Sequence, residues 1–327
     1  MKHSENKETV LVTGGSGYLA GDCIVRLLQQ GYQVKTTVRS VEKQTQVIAM
    51  AKEAGIAEPE QIAFTYASLD SDKGWAEAVA GCSYVLHVAS PFPATEPLDE
   101  QELISPAKDG ALRVLKAARD AGVKRVVLTS SFAAVGLSID PKDHLFTELD
   151  WTDLNSPQRA YIKSKVMAER AAWDFIANEG KGLELSVINP TAIFGPIIAG
   201  NYSAAIAHVL KGLIDGHVTQ TPPFTLNVVD VRDVAEIHLL AMTSPDAAGE
   251  RFLAGTVQAM SFYDIAELVR RERPQLAEKI AALSPISGDL YITLSNKKAQ
   301  ELLGWTPRGR EESLLASIDG LYPAKQA

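Results

Sequence analysis

Short runs of apolar, often β-branched residues alternate with longer amphipathic segments over roughly the first two thirds of the chain. Apolar runs bounded by turn residues predict buried strands, and apolar positions three or four apart predict helices with one buried face. The strands predicted in this way cover residues 10–13, 33–38, 62–66, 84–88, 125–129, 183–188 and 227–229. The main predicted helices cover residues 20–30, 44–54, 157–179 and 231–242. This alternation is typical of an α/β fold with a parallel sheet covered on both faces.

The longest predicted helix, residues 157–179, has a recognisable start and end. Ser156 can cap it, Pro157 suits its first turn and Gly180 ends it. Beyond residue 190 the alternation of strands and helices loosens and proline becomes frequent. We therefore predict a Rossmann-type doubly wound core with a small, mostly helical substrate-binding lobe. The core is expected to comprise residues 1–190 plus about 226–257, and the lobe about 191–225 plus 258–327.

Composition excludes several classes of function. The chain is 46 % hydrophobic and 22 % charged, and its net charge of -8 argues against nucleic acid or an anionic membrane as partner. Cys23 and Cys82 lie in apolar stretches with no disulfide or metal spacing, which favours a packing role and a reducing cytoplasm. The polar N-terminus lacks a signal-peptide core, and no apolar run approaches the length of a membrane span. The six histidines are scattered without ligand spacing, so no metal site is expected.

A glycine-rich turn joins the first predicted strand to the first helix. Gly14 and Gly17 permit a tight turn and a close backbone approach to a pyrophosphate, which the free N–H groups of the helix N-terminus attract. The small Ala20 allows the helix to pack on the strand. The turn residues expected to contact a dinucleotide are Gly14, Ser16, Gly17, Tyr18 and Leu19.

The end of the second strand indicates which nicotinamide cofactor is bound. An acidic residue there would hold the ribose hydroxyls of NAD, but this chain has Arg39, with Lys43 close behind. Both cations can pair with a 2′-phosphate, so NADP(H) is expected. The alternative is a solvated basic pair on a surface turn.

Two further strand ends are candidates for cofactor contact. Leu69 and Asp70 follow the third strand, where the Asp70 carboxylate could accept from the adenine amino group. Asp70 could equally cap a helix that begins near Lys73. Small residues after the fourth strand would let the backbone approach the cofactor, and these are Val88, Ala89 and Ser90.

Tyr161 and Lys165 lie four residues apart, on one face of the long helix. A neighbouring ammonium group and the positive end of the helix dipole both favour the tyrosine phenolate, so this pair suits acid-base chemistry. The pair is common by chance in long helices. Ser131 strengthens the hypothesis, because it follows a predicted strand about thirty residues upstream and can hydrogen-bond a substrate oxygen.

With these motifs together, the sequence resembles the extended short-chain dehydrogenase/reductases. The resemblance is greatest to the branch with dihydroflavonol and cinnamoyl-CoA reductases, yeast methylglyoxal (carbonyl) reductases and their bacterial relatives. It covers residues 9–255 and includes 87–91, 129–131, 189–196 and 229–235. It implies an NADPH-dependent carbonyl reductase, with Ser131 polarising the carbonyl, Tyr161 as general acid, and Lys165 holding the ribose and lowering the pKa of Tyr161. It also places Thr129, Pro190 and Ile193 beside the cofactor.

One position departs from the family pattern. Asp109 stands where many members have an asparagine that holds a water of a proton relay, and it is not assigned a catalytic role. The alternative for Asp109 is an ion pair with Arg113. Candidate pocket aromatics, which would suit aryl or hydrophobic aldehydes and ketones, are Phe92, Phe132, Phe194, Tyr202 and Phe224.

Two other functions remain open at this point. A sugar-nucleotide epimerase or dehydratase shares the fold and the catalytic trio but favours NAD, and a cofactor-sensing regulator would keep the glycine turn without chemistry. For the reductase, the expected partner is a small-molecule carbonyl or alcohol substrate. The protein is expected to be a monomer or a homodimer; a dimer of the family type would pair the helix of Tyr161 with the segment 103–120.

Overall fold

A computed structural model describes residues 8–91 and 97–323. Its strands are β1 (Thr9–Val12), β2 (Gln33–Val38), β3 (Ala63–Tyr66), β4 (Tyr84–His87), β5 (Arg125–Thr129), β6 (Leu145–Phe146), β7 (Glu184–Pro190), β8 (Ala192–Phe194), β9 (Val228–Asp230), β10 (Arg251–Ala254) and β11 (Thr293–Leu294). Within the described ranges, seven of them form one parallel sheet in the order β10-β7-β5-β4-β1-β2-β3. Chain order reverses direction between β1 and β4, as in the Rossmann-type doubly wound fold predicted from the sequence.

The helices are α1 (Tyr18–Gln29), α2 (Val41–Glu53), α3 (Trp75–Val79), α4 (Gln101–Asp120), α5 (Ala160–Glu179), α6 (Gly212–Ile214), α7 (Val231–Thr243), α8 (Phe262–Glu272), α9 (Lys297–Leu303) and α10 (Arg310–Leu321). A π-helical segment, Ile206–Lys211, runs directly into α6. Helices α1, α2 and α7 cover one face of the sheet, and α3, α4 and α5 cover the other.

The apolar runs of the strands are buried on both sides. Val10 and Val12 pack with one helical layer, while Leu11 between them packs with the other. Successive side chains of a strand point to opposite faces, so a strand between two helical layers has no polar face. This is why the strands read as continuous apolar runs instead of alternating ones.

The segment after β7 builds a second apolar cluster beside the sheet. Strand β8 pairs in parallel with β9, and both pack with the π-helical segment, α8 and α10. Strand β10 then returns to the edge of the main sheet. The sequence placed residues 226–257 in the core. Within that range β9 pairs with β8, while α7 packs on the sheet and β10 joins it. The domain division stays a prediction.

The start of α5 differs from the prediction. The helix begins at Ala160, with Arg159 at the N-cap in an extended conformation, and not at Pro157. The Ser156 hydroxyl donates to the Asp153 carbonyl 2.7 Å away and so belongs to the preceding turn. The helix ends at Glu179, with Gly180 as its C-cap, as expected. Tyr161 therefore lies in the first turn.

Other whole-chain expectations concern the cysteines, membranes and assembly. Cys23 and Cys82 are free and buried in the two core layers, which confirms their packing role. No helix within residues 8–91 and 97–323 is long and apolar enough to cross a membrane. Helices α4 and α5 pack against each other on one face of the sheet. The cytoplasmic location and the choice between monomer and homodimer stay predictions.

Candidate functional site

The carboxyl ends of the parallel strands open into one cleft of about 1090 Å³. Clefts at this edge of a doubly wound sheet are the usual ligand sites, because loops after neighbouring strands converge there. Every catalytic and cofactor-binding residue predicted from the sequence lines this cleft: Gly14, Ser16, Gly17, Tyr18, Leu19, Arg39, Lys43, Leu69, Asp70, Val88, Ala89, Ser90, Thr129, Ser131, Tyr161, Lys165, Pro190 and Ile193.

The glycine turn is shaped for close backbone approach. Gly14 has a φ of 69°, and a Cβ there would lie 3.0 Å from the Ala89 Cβ, so the turns after β1 and β4 touch. The Gly14 N–H donates to Thr37 Oγ1 at 2.9 Å, which fixes the turn against β2. Gly17 is the N-cap of α1 and offers no side-chain acceptor. The first N–H groups of α1 therefore remain available to an anion in the cleft.

A pair of matched substitutions separates backbone strain from cofactor contact. Gly14 and Gly122 have φ values of 69° and 71°, but of the two only Gly14 has neighbours within 4 Å of the position that a Cβ would occupy. We expect Gly14→Ala and Gly122→Ala each to lower the free energy of unfolding by about 1–2 kcal/mol. Only Gly14→Ala should also weaken NADP(H) binding, by about tenfold or more. Urea unfolding and cofactor titration measure the two effects, and equal binding losses in both variants would contradict the assignment.

Basic and acidic side chains line the end of the cleft next to the carboxyl ends of β2 and β3. Arg39 and Lys43 both line it, and Lys43 Nζ donates to Gln46 Oε1 at 2.9 Å. Asp70 also lines this end, and a hydrogen bond from Ser68 lowers the pKa of its carboxyl. The alternative role of Asp70 as a helix cap is wrong, because α3 begins at Trp75 with Gly74 as its N-cap.

The three proposed catalytic side chains converge in the middle of the cleft. Ser131 lies two residues beyond the end of β5, and its side chain shares a hydrogen bond with Tyr161. Lys165 is buried one helical turn further along α5, with Nζ 5.9 Å from the centre of the Tyr161 ring. Helix α5 and the turn after β5 thus bring together residues that are about thirty positions apart.

Burial opposes the lowering effect that Lys165 is expected to have on the pKa of Tyr161, and that role of Lys165 stays a prediction. Burial raises the pKa of the Tyr161 hydroxyl, and the hydrogen bond with Ser131 offsets only part of that increase. Burial also lowers the pKa of Lys165 to about 8. Desolvation disfavours the charged form of both groups.

Two buried histidines support strand ends beneath the cleft. Thr13 Oγ1 lies 2.9 Å from His87 Nδ1 and accepts a hydrogen bond from the Ala89 N–H at 2.9 Å. Burial, followed by the charge of Lys165, lowers the pKa of His87 to about 3, so this imidazole is neutral. His87 is therefore a supporting residue.

His238 holds the end of β5 in the same manner. Its Nδ1 lies 2.7 Å from the Val234 carbonyl and must donate to it, so Nε2 accepts from the Thr129 hydroxyl at 2.7 Å. The hydroxyl of Thr129 thus points into the core, while the residue still lines the cleft. Burial lowers the pKa of His238 to about 4.

Several secondary expectations need correction. Asp109 on α4 does not line the cleft, and Arg113 pairs with Asp72 instead of Asp109. Phe194 is fully buried in the cluster beside the sheet, because β8 points its side chain away from the cleft. The other described pocket aromatics, Phe132, Tyr202 and Phe224, do line the cleft. Phe92 and His3 lie outside the described residues.

Sequence reasoning missed Asn201 and Thr37. The Asn201 side chain donates to the Ser16 carbonyl at 3.1 Å, which ties the segment after β8 to the glycine turn. Thr37 accepts from the Gly14 N–H. Thr37 could have been found from its place at the end of β2. Asn201 gave no local signal, since its partner lies 185 residues away.

The chain belongs to the NAD dependent epimerase/dehydratase family, whose model matches residues 10–255. This confirms the resemblance to extended short-chain dehydrogenase/reductases. A bacterial type stays a prediction.

Several of the proteins similar to this chain are named reductases. Cinnamoyl-CoA reductase CAD2 of Medicago truncatula is 34% identical over 100% of this chain and 99% of its own. Ketoreductase azaE of Aspergillus niger is 32% identical over 91% of this chain and 93% of its own. The crystal structure of yeast methylglyoxal/isovaleraldehyde reductase Gre2 complexed with NADPH has a TM-score of 0.84 and 27% identity, and covers 96% of this chain and 98% of its own.

Proposed function

We propose that this protein is a carbonyl reductase that converts neutral, hydrophobic aldehydes or ketones to alcohols with NADPH. It is an NADP(H)-dependent oxidoreductase, as its reductase relatives and its NADPH-bound structural neighbour are. The observation that carries the proposal is the convergence of Ser131, Tyr161 and Lys165 in a cleft whose far end holds Arg39.

The residues of the cleft fit NADPH. The glycine turn and the N-terminus of α1 would hold the pyrophosphate, and Arg39 with Lys43 would hold the 2′-phosphate. Lys165 would hold the nicotinamide ribose. Residues 88–90 would also contact the cofactor, and Pro190 and Ile193 would line its nicotinamide side. When bound, NADPH supplies a hydride to the carbonyl carbon.

The side chains of the chain then manage the proton. A carbonyl oxygen beside Ser131 and Tyr161 would accept a hydrogen bond from each hydroxyl, which polarises the carbonyl. Tyr161 gives its proton to that oxygen as the alcohol forms. The hydroxyl is protonated at neutral pH, as a general acid must be, although its burial raises the pKa and so opposes proton release. The charge of Lys165 and the start of α5 stabilise the phenolate that is left, until water returns the proton.

The protonation of Lys165 makes NADPH binding depend on pH. Its pKa is lowered to about 8, so the ammonium is present below that pH and is lost as the pH rises through it. We expect the NADPH dissociation constant to increase above about pH 8, with kcat/KM for NADPH falling in parallel, since that ratio reports groups of the free enzyme. Cofactor titration from neutral to alkaline pH measures this. A flat profile across that range would contradict the role given to Lys165.

The substrate end of the cleft is uncharged and largely apolar. Among the described lining residues, the charged ones are Arg39, Lys43, Asp70 and Lys165, and we assign all four to the cofactor. The remaining side of the cleft carries neutral side chains, of which Ser203, Thr225 and Asn227 are polar and the others apolar or aromatic: Leu137, Tyr202, Phe224, Leu226 and Ile292. A charged substrate would lose its hydration there without gaining a partner, so a neutral carbonyl compound is favoured.

Benzaldehyde and para-carboxybenzaldehyde form a matched pair of test substrates. We expect kcat/KM to be lower for the carboxylate by about tenfold or more, because its charge would enter an apolar surface. NADPH consumption in parallel assays measures the ratio. Equal or higher efficiency with the carboxylate would contradict the neutral-substrate proposal but leave the reductase chemistry intact.

Two alternatives make different demands on the same site. A sugar-nucleotide epimerase or dehydratase would favour an acidic residue at the position of Arg39 and a tightly held NAD. Purified protein that carries NAD and ignores NADPH would favour that alternative. A cofactor-sensing regulator typically lacks the tyrosine or the lysine, whereas this chain keeps both Tyr161 and Lys165.

A further inference from the structure

A buried carboxylate lies directly behind the proposed catalytic residues. Glu169 is fully buried on α5, four residues beyond Lys165 and eight beyond Tyr161, so all three lie along one side of the helix. Burial of a carboxylate is costly unless the group is paired and hydrogen-bonded. The proposed chemistry gives Glu169 no role, and its partners therefore indicate what it does.

Glu169 Oε2 binds the two segments that carry the substrate side of the site. It accepts from Ser130 Oγ at 2.5 Å, and Ser130 directly precedes Ser131. It also accepts from Asn189 Nδ2 at 2.8 Å, and the same amide donates to the Ser131 carbonyl at 3.2 Å. One carboxylate oxygen thus fixes the end of β5, the end of β7 and helix α5 relative to one another.

The other carboxylate oxygen of Glu169 is bound by a residue of β10, the strand at the edge of the sheet. Glu169 Oε1 accepts from Arg251 Nε at 2.5 Å and, more weakly, from Trp173 Nε1 at 3.4 Å. Arg251 is itself fixed, since Nη1 donates to the Glu148 carbonyl at 2.6 Å and its guanidinium stacks on the Trp151 ring at 3.8 Å. The position of the carboxylate is therefore determined by β10 as well as by α5.

The charged and titratable groups around Lys165 come from three elements. Glu169 and Tyr161 lie on its own helix, the neutral His87 lies on β4, and Arg251 approaches from β10 on the far side of Glu169. Burial lowers the pKa of Lys165, and the charge of Glu169 raises it again in part. Glu169 is the one carboxylate among these four neighbours of Lys165.

We propose that Glu169 is a positioning residue of this site, which aligns the Ser130–Ser131 and Asn189–Pro190 segments with α5 and supplies the counter-charge for Lys165. The part that concerns Ser131 rests on the function proposed above. The part that concerns Lys165 does not require turnover, because the lysine charge is also read out by cofactor binding.

The main test is the pH dependence of NADPH binding in Glu169→Gln, which keeps the shape and removes the charge. We expect the rise in the NADPH dissociation constant to begin at a pH lower by about one pH unit than in the wild type. The kcat for benzaldehyde should fall by about tenfold or more. Glu169→Asp keeps the charge at a shorter reach, so its binding profile should return close to that of the wild type while kcat stays reduced.

Asp233→Asn is the matched control for structural damage. Asp233 is also a buried carboxylate paired with an arginine, Arg308, but it does not line the cleft. This variant should lose stability without any change in the pH profile of NADPH binding. Ser130→Ala removes the hydrogen bond between Ser130 and Glu169 and leaves the link through Asn189 in place. It should lower kcat several-fold with an unchanged binding profile.

The outcomes separate this proposal from the proposed function. A folded Glu169→Gln variant with the wild-type NADPH profile would overturn the role in positioning Lys165. If Glu169→Gln does not fold, wild-type kcat in both Ser130→Ala and Glu169→Asp would overturn the proposal. A wild-type protein without reductase activity would overturn the proposed function instead. The pH profile of NADPH binding in Glu169→Gln would then still show whether Glu169 supplies the counter-charge for Lys165.

Discussion

Replacing Tyr161 by phenylalanine is expected to lower kcat for carbonyl reduction by about 10³-fold, since general acid catalysis contributes about 10²–10⁴-fold. The substitution removes the one hydroxyl that is proposed to transfer its proton. Ser131 would still donate a hydrogen bond to the carbonyl oxygen, but the proposed general acid would be missing. NADPH binding should change little, because Lys165 and the glycine turn stay in place. Single-turnover kinetics with NADPH titrations measure both quantities.

Tyr202→Phe is the matched control for this prediction. Tyr202 also lines the cleft, at 39% exposure, and loses the same atom. It should retain kcat close to that of the wild type. Comparable losses in the two variants would show that a general disturbance of the cleft, and not a proton donor, explains the result. Wild-type kcat in Tyr161→Phe would remove the tyrosine from the mechanism.

Replacing Arg39 by aspartate is expected to reverse the cofactor preference. We expect kcat/KM for NADPH to fall by about 10²-fold, because a charge-assisted contact with the 2′-phosphate is replaced by repulsion. Efficiency with NADH should rise at the same time, since a carboxylate at this strand end can accept from the ribose hydroxyls. Steady-state kinetics with both cofactors measure the change.

Lys116→Asp controls for the altered net charge. Lys116 lies on α4 outside the cleft, and its reversal changes the net charge of the chain by the same amount as Arg39→Asp. The cofactor preference of Lys116→Asp should equal that of the wild type. An unchanged preference in Arg39→Asp would return Arg39 to the alternative of a solvated surface cation.

The main sheet and the cofactor end of the site could be predicted because their signals are local. Each strand is a short apolar run, and the residues after it face the cleft as a consequence of parallel pairing. Gly14 and Arg39 illustrate this, since each was assigned from its own strand end and both line the cleft. The doubly wound arrangement was predicted from the alternation of strands and helices and required no knowledge of long-range contacts.

Features determined by tertiary contacts could not be predicted. Ser156 and Pro157 are good helix-start residues, yet the turn at Asp153 takes the serine hydroxyl and α5 begins at Ala160. Asn201 binds the glycine turn from a distant part of the chain.

The electrostatics of the site show the same limit. Charge spacing suggested that Lys165 lowers the pKa of Tyr161, but burial, which the sequence does not reveal, acts in the opposite direction. Glu169 was also invisible as a site residue, because its partners Ser130, Asn189 and Arg251 come from three other strands or strand ends.

The most direct test of the proposed function is whether the purified wild-type protein oxidises NADPH in proportion to the alcohol it forms from an aromatic aldehyde or ketone. We predict one alcohol per NADPH consumed, with NADH a much poorer cofactor. Loss of NADPH absorbance and product chromatography follow the two sides of the reaction. NADPH that binds without any alcohol forming from a broad panel would contradict the reductase proposal, and failure to bind NADPH would contradict the assignment of the cleft itself.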